Sequence, residues 1–245
     1  MSIFPVYMAT CSLSFTPIYV IPIENCVSHW PLDSDGTDTI GSNSLNEEGT
    51  MSYPSGVVSN CADFTGSASA ALNKLMPSGL NFGNGTTNSP FSISLWVKFN
   101  SISGAATIFS HRSATQVEYD ISYNSSLLKF RCVSNGNAAN SINCNYTITP
   151  TIGQWYHIVA TNNGSGSASG LNLYVDKVSG GSKFETGTYV AMNAVATHLY
   201  LGKFISNESS SLNGYLDEVY VFDIELDSTQ VDYCYDKGIA GETLF

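Results

Sequence analysis

Short runs in which apolar and polar residues alternate restrict the fold of this chain more than any other feature. The clearest run is Phe91–Phe99, FSISLWVKF. Side chains of a β-strand point alternately to opposite faces, so such runs, rich in β-branched and aromatic residues, predict strands. Turn-forming clusters of Asn, Gly and Ser separate them, which favours a two-sheet antiparallel sandwich. The other runs are Thr107–His111, Val117–Tyr123, Leu127–Val133, Trp155–Thr161, Leu171–Asp176, His198–Phe204 and Tyr215–Phe222.

One helix is predicted after the last strand. Asp227 is a suitable N-cap, Gln230 stands three residues further on, and Gly238 is a suitable C-cap. Helical spacing then gives a buried stripe formed by Val231, Cys234 and Tyr235.

The N-terminal segment is expected to be separate from the sandwich. We predict an arm over residues 1–25, with a strand at Phe15–Ile23, and a single domain over residues 26–245. The segment lacks the basic region of a signal peptide, and prolines interrupt its apolar residues. No apolar run reaches the roughly 18 residues that a membrane span requires.

The charge balance limits the classes of partner. The net charge is −11, with nine Lys and Arg in 245 residues. Nucleic acids and anionic membrane surfaces attract basic patches, so neither is an expected partner. The acidic side chains leave calcium possible as a ligand.

The six cysteines form no Cys-x-x-Cys motif, which argues against a zinc ribbon or a thioredoxin-type site. Cys132 and Cys144 flank a polar loop and are the best pair for a local disulfide. Free thiols are an equally good interpretation of the same two residues.

Several segments, taken in order, resemble the concanavalin A-like jelly rolls of the laminin-G-like and pentraxin-like group. The resemblance runs from about residue 27 to 240 and implies an all-β, two-sheet antiparallel jelly-roll sandwich with one short C-terminal helix. The segments are HWPLDSDGTDTIG at His29–Gly41, CADFTGS at Cys61–Ser67, Phe91–Phe99, the hairpin from Gly153 to Val178, LYLGKF at Leu199–Phe204 and the closing strand and helix from Leu212 to Gly238.

The resemblance also implies a calcium site. Asp217 would bind Ca²⁺ together with Asp38 and backbone oxygens near Gly41, since calcium accepts mixed carboxylate and carbonyl ligands. The alternative is a metal-free Asp217 that accepts hydrogen bonds from amides of the Asp35–Gly41 loop. Strand alternation places Asp217 with Val219 and Val221, and Glu218 with Leu216, Tyr220 and Phe222. Glu218 is expected to be a rim acid paired with a cation or solvent.

Catalytic patterns are weak. Some jelly-roll relatives are glucanases that use Glu-x-Asp-x-x-Glu, but the nearest match, Glu225–Gln230, ends in Gln, which cannot act as a general acid. The four histidines lie on or beside apolar strands, and none stands in a Gly-x-Ser-x-Gly turn. We therefore do not expect an enzyme, and a glycoside-active enzyme is the least favoured alternative.

The remaining functions are recognition and structure. The first hypothesis is a non-catalytic module on a virion surface, such as a phage head decoration or tail-associated protein, whose N-terminal arm contacts neighbouring proteins in a larger assembly. The alternative is a secreted, calcium-dependent lectin or carbohydrate-binding module with a glycan ligand. Aromatic and amide side chains suited to sugars stand near predicted loops at Tyr123, Asn124, Asn145 and Tyr146, although composition alone supports them.

Overall fold

A computed structural model of the chain describes residues 21–65, 70–112, 116–194, 198–203 and 210–245. Fifteen strands and one α-helix lie within these ranges. The strands are β1 (Cys26–Trp30), β2 (Asn46–Glu48), β3 (Ala62–Asp63), β4 (Ala71–Leu75), β5 (Phe91–Phe99), β6 (Ala106–Arg112), β7 (Val117–Asn124), β8 (Leu127–Val133), β9 (Ser141–Thr147), β10 (Trp155–Asn162), β11 (Leu171–Val175), β12 (Val178–Gly180), β13 (Ser182–Thr186), β14 (His198–Leu201) and β15 (Gly214–Phe222), and the helix is α1 (Ser228–Ile239).

The strands form two sheets that pack face to face. A seven-stranded sheet has the order β1-β15-β5-β10-β11-β12, with β3 also paired to β15, and an eight-stranded sheet has the order β13-β9-β8-β7-β6-β14-β4-β2. Each ladder between these strands is antiparallel. The predicted all-β, two-sheet sandwich with one C-terminal helix is confirmed, and the first and last strands of the domain, β1 and β15, lie side by side.

All eight alternating runs contain strands, with small differences at their ends. The prediction missed β9, because its polar positions are Ser141, Asn143 and Asn145, and Asn is rare in strands. These polar residues nevertheless alternate with Ile142 and Cys144, which are buried in the core.

Two apolar cores stabilise the fold. The larger lies between the sheets and contains the inward residues of both, among them Phe91, Phe109, Tyr119 and Phe130. The smaller lies between the seven-stranded sheet and α1, and contains Tyr220, Phe222, Val231 and Cys234. The seven-stranded sheet is thus covered on both faces along part of its length.

The helix begins as predicted and ends later. The Asp227 side chain accepts a hydrogen bond from the Gln230 amide, and the Gln230 side chain accepts one from the Asp227 amide, which completes a capping box. Gly238 is not the C-cap, since the helix continues to Ile239 and Ala240 caps it. The role of Gly238 is close packing: a Cβ there would lie 2.5 Å from Trp96 Nε1.

The cysteine and arm predictions have different outcomes. Cys132 and Cys144 are free and buried, so of the two interpretations the free thiols are confirmed and the local disulfide is wrong. On the β8–β9 ladder Cys132 stands opposite Ile142 and Cys144 opposite Phe130, so the two are not directly opposed. Most of the predicted arm strand lies outside the described residues, and Ile23 begins a single 3₁₀ turn rather than ending a strand. The arm's partners stay a prediction.

Candidate functional site

The two acids of β15 are separated by a β-bulge. Glu218 has a positive φ of 48°, and the pairing of β15 with β5 shifts between Asp217 and Tyr220. The bulge restarts the alternation, so Leu216, Val219 and Val221 all face the core between the sheets. The predicted grouping of Asp217 with Val219 and Val221, and of Leu216 with Tyr220 and Phe222, is therefore wrong.

Asp38 organises the loop after β1. Its Oδ1 accepts hydrogen bonds from the amides of His29, Ile40 and Gly41 at 3.0, 3.1 and 2.8 Å, and its Oδ2 accepts one from Asn43 at 2.9 Å. The loop is tight at Gly41, where a Cβ would lie 2.3 Å from the Val27 carbonyl oxygen. Asp38 and Gly41 are thus brought together, as predicted. The contact is made by the Gly41 N–H, however, whereas the prediction used backbone oxygens near Gly41.

Asp217 is fully buried and contacts a different loop. Its Oδ2 accepts hydrogen bonds from the amides of Val57 and Val58 at 2.6 and 3.0 Å. Among the described residues, its Oδ1 has no hydrogen-bond partner. Burial, opposed by these two amides, raises the pKa of Asp217 to about 8. The metal-free alternative was right about backbone amides but wrong about the loop that provides them.

The predicted calcium ligands do not form one set in this arrangement. Four backbone N–H groups donate hydrogen bonds to the Asp38 carboxylate. These bonds stabilise the carboxylate as an anion bound by the backbone and occupy oxygens that a metal ion would need. Within the described ranges, no group of three or more His, Cys, Asp or Glu side chains has the geometry to hold a metal ion. The donors at Asp38 therefore favour a metal-free loop over a Ca²⁺ site, and the calcium site at Asp38, Gly41 and Asp217 stays a prediction.

Glu218 is buried rather than at the rim. Its Oε2 lies 3.2 Å from His29 Nε2 and accepts a short hydrogen bond from the Tyr220 hydroxyl. The His29 ring stacks on Tyr220 at 3.9 Å, and its Nδ1 lies 2.8 Å from Thr39 Oγ1. Through His29, Glu218 rather than Asp217 links the last strand to the Asp35–Gly41 loop.

A buried histidine–serine pair lies nearby. Ser94 Oγ and His157 Nε2 are 2.8 Å apart on neighbouring strands β5 and β10. Burial, with a smaller effect from the charge of Lys177, lowers the pKa of His157 to about 3. The adjoining cavity beneath α1 has a volume of about 10 Å³. That is about the minimum for one water and far too small for a substrate, so the pair belongs to the packing of the helix.

The outer face of the eight-stranded sheet carries a regular array of polar side chains, of which four are buried and four are half-buried. One row across β6, β7, β8 and β9 aligns Ser110, Asp120, Arg131 and Asn143, and the next aligns Thr107, Ser122, Lys129 and Asn145. We call these eight residues the polar grid. The alternate residues of the same strands, such as Ile121 and Phe130, face the core, so strand periodicity directs the polar set outward.

An ion pair lies at the centre of the polar grid. Arg131 Nε donates to Asp120 Oδ2 at 3.1 Å, and Nη2 makes a shorter contact to the same oxygen. The Asp120 charge raises the pKa of Arg131. Burial lowers the pKa of Arg112 to about 10, and this effect is opposed by Asp120. Both arginines of the chain therefore lie beside one carboxylate.

A hollow of about 130 Å³ opens on the polar grid. Its walls include Thr107, Asp120, Ser122, Lys129 and Arg131, with Asn124 and Ser210 at its margin. Of the residues suggested by composition, Asn124 borders this hollow and Asn145 belongs to the grid, whereas the Tyr123 ring is buried in the core. A second, more open hollow next to the grid is lined by Asn145, Tyr146 and Gly180.

The segment Glu225–Gln230, the nearest match to a glucanase motif, has a structural role. Asp227 and Gln230 cap α1, and their side chains bond backbone groups at its first turn. Sequence reasoning missed the polar grid itself, because its residues come from four strands and only the sheet register aligns them. Within the described ranges, no helix is long and apolar enough to cross a membrane.

Two of the solved structures that resemble this fold are binding domains of toxins. The chain matches the botulinum neurotoxin serotype G binding domain with a TM-score of 0.64 and 16% identity, covering 86% of this chain and 50% of that one. The binding domain of Paraclostridial Mosquitocidal Protein 1 matches with a TM-score of 0.67 and 16% identity, and the match covers 87% of this chain and 52% of that one. The chain thus spans about half the length of these toxin domains.

A third match has nearly the same length as this chain. It is domain 4 of AbnA, a GH43 extracellular arabinanase from Geobacillus stearothermophilus in complex with arabinotriose, with a TM-score of 0.57, 18% identity and coverage of 85% and 97%. At 16–18% identity, these three structures show that the fold is shared. No curated protein matches the sequence.

The family comparison covers well over half of the chain. The family model described as the Concanavalin A-like lectin/glucanases superfamily matches residues 75–232. This range includes the strands of the polar grid and the bulged strand β15. The chain belongs to the Concanavalin A-like lectin/glucanases superfamily.

Proposed function

We propose that the chain is a non-catalytic carbohydrate-binding module that holds a glycan on the polar grid. The observation that carries the proposal is the grid: eight polar side chains are aligned in two rows on one sheet face, and five of them line a hollow of about 130 Å³. Sugar hydroxyls both donate and accept hydrogen bonds, so a surface with both kinds of group suits them.

The grid provides both kinds of group at close range. Lys129 and the Arg131 guanidinium are donors, Asp120 is an acceptor, and the Asn145 amide is both. Because the Arg131–Asp120 pair is held by the β7–β8 register, these groups are oriented before a ligand arrives. Such preorganisation lowers the entropy cost of binding. The hollow is smaller than the roughly 300–1,000 Å³ of drug-sized pockets, which favours a ligand that lies across the face with one sugar in the hollow.

The number of carboxylates on the polar grid favours binding over hydrolysis. Glycosidases place two carboxylates about 5–9.5 Å apart across the scissile bond. The polar grid contains one, Asp120, and its Oδ2 is bonded by Arg131. The arabinanase domain solved with arabinotriose has the same fold, which is consistent with a saccharide ligand for this one.

A glycan array, with and without calcium, followed by calorimetry on the strongest ligand, tests the proposal. Lys129→Met and Asn145→Ala should each lower the affinity about tenfold, the equivalent of about 1.4 kcal/mol. Lys98→Met is the matched control: its side chain lies between the Trp155 and Tyr215 rings, on the other sheet. A blank array, or a ligand whose affinity depends on Lys98 and not on the grid, would disprove the proposal.

The virion-surface hypothesis concerns where the module is displayed, and it stays a prediction. A glycan-binding module on a particle would act in adhesion, so the two hypotheses are compatible. Detection of the chain in purified particles, in many copies, would support it.

A further inference from the structure

The end strand of the eight-stranded sheet is unprotected. Strand β13 pairs with β9 on one side, and no described strand pairs with its other side. All five of its residues are exposed, including Phe184, which is 43% exposed. A sheet edge that offers free N–H and C=O groups and an exposed aromatic ring is a template for adding another strand.

The sequence of this edge is complementary to itself. The strand reads Ser182-Lys-Phe-Glu-Thr186. When two copies are placed antiparallel about Phe184, Ser182 of one stands opposite Thr186 of the other, Phe184 opposite Phe184, and Lys183 opposite Glu185. Opposite charges, aromatic pairs and hydroxyl pairs at directly opposed positions each stabilise a ladder. Both Lys–Glu pairs form at once because the arrangement has two-fold symmetry.

From this edge we propose that two copies of the chain pair through β13, antiparallel about Phe184, and join their eight-stranded sheets into one continuous sheet. The charged side chains are available for this role. Lys183 Nζ contacts the Asn172 side chain at 2.7 Å, and Glu185 accepts a long bond of 3.4 Å from the Ala168 amide. Neither is paired with an opposite charge within its own chain in the described ranges.

The pairing has a consequence that rests on the proposed function. Phe184 is in register with Asn143 and Arg131, so the outer face of β13 continues the polar grid. Antiparallel pairing keeps this face on the same side in both copies. Strand β8 of one copy then lies five strand spacings from that of the other, about 24 Å at about 4.8 Å each. The dimer would present two glycan sites on one surface, which raises avidity for a repeating or clustered ligand.

A short strand buries little surface, so the dimer is expected to dissociate readily. Sedimentation velocity of the full chain from about 5 to about 500 µM should show a concentration-dependent shift from monomer to dimer, as mass action requires. This measurement uses no glycan, so a monomer would disprove the dimer and leave the glycan proposal intact. A blank glycan array would disprove the glycan proposal and leave the dimer intact.

Charge variants provide the specific test. Lys183→Glu and Glu185→Lys should each make the chain monomeric, because each places like charges opposite one another across the two-fold axis. An equimolar mixture of the two variants should dimerise again, since one chain then carries two acids and the other two bases. The double variant Lys183→Glu/Glu185→Lys should also dimerise.

Lys237→Glu, on the helix that covers the other sheet, makes the same change in net charge as Lys183→Glu and should leave dimerisation unchanged. Circular dichroism and thermal melting confirm that each variant is folded. A dimer that survives both single variants, or a mixture that stays monomeric, would overturn the proposal. A dimer that survives both single variants would have to form through another part of the chain, for example the N-terminal arm.

Discussion

The Oε2 atom of Glu218 lies 3.2 Å from Nε2 of His29, although 189 residues separate the two in the chain. The contact joins the bulge in the last strand to the first strand of the domain. The Tyr220 hydroxyl donates to the same oxygen, and the Tyr220 ring stacks on His29. One carboxylate therefore satisfies two buried polar groups at the closure of the sandwich.

Truncation of Glu218 should destabilise the fold strongly. Glu218→Ala would leave His29 Nε2 and the Tyr220 hydroxyl buried without this partner, at a cost of about 2–4 kcal/mol. Glu218→Gln retains an oxygen that accepts from Tyr220 and should cost less than half as much. Urea denaturation measures both variants. Equal losses would show that the charge of Glu218, rather than its hydrogen bonds, stabilises the closure.

Asp38→Ala should lower stability equally in calcium and in chelator. The variant removes the acceptor of four backbone amides, and a loss of about 2–4 kcal/mol is expected for bonds to a charged group. Thermal melting in Ca²⁺ and in EDTA checks this. A loss of stability confined to the calcium sample would instead identify Asp38 as a metal ligand and restore the calcium site that the family resemblance implies.

Asp217 should make the folded state less stable as pH rises. Its pKa in the folded protein is about 8, against an ordinary value of 3.8 for an aspartate. Between these values the unfolded chain releases the proton and the folded chain keeps it. The contribution of Asp217 is therefore fully present below about pH 4 and is lost by about pH 8, with a slope of up to about 1.4 kcal/mol per pH unit.

Asp217→Asn isolates this contribution. The amide keeps an oxygen for the Val57 and Val58 amides and cannot ionise. The stability of the variant relative to the parent should rise as pH rises from about 4 to about 8. The variant must be compared with the parent because His157 also titrates in both proteins. Its pKa is lowered to about 3, so its contribution makes the free energy of unfolding rise with pH up to about pH 6.5. A difference that does not change with pH would mean that Asp217 is ionised throughout.

Gly238→Ala should destabilise the protein, against the usual effect of this change in a helix. Alanine is normally favoured over glycine there by about 1 kcal/mol. At this position a Cβ would lie 2.5 Å from Trp96 Nε1, and overpacking costs about 1–3 kcal/mol. Asp232→Ala, at an exposed position of the same helix, is the control and should change the melting temperature little. A stabilised Gly238→Ala variant would mean that the helix can move away from the sheet.

Local pattern in the sequence predicted most of the fold. Period-two alternation located eight of the strands from Phe91–Phe99 to the closing strand, since core burial requires each strand to place its apolar residues on one face. The Asp227–Gln230 capping box located the start of the helix because capping depends on neighbours in the chain. The order of these segments was sufficient to identify the superfamily.

Tertiary structure decided the sites. The bulge at Glu218 reversed the expected alternation, because strand pairing rather than composition sets a bulge. Asp217 bonded to Val57 and Val58, and Asp38 to its own loop, since long-range approach selects among many available amides. The polar grid and the exposed edge of β13 depend on the sheet order. The sequence alone therefore determined which segments are strands and, away from the bulge, which residues face the core, whereas the polar residues that align on the outer face follow from the register between strands.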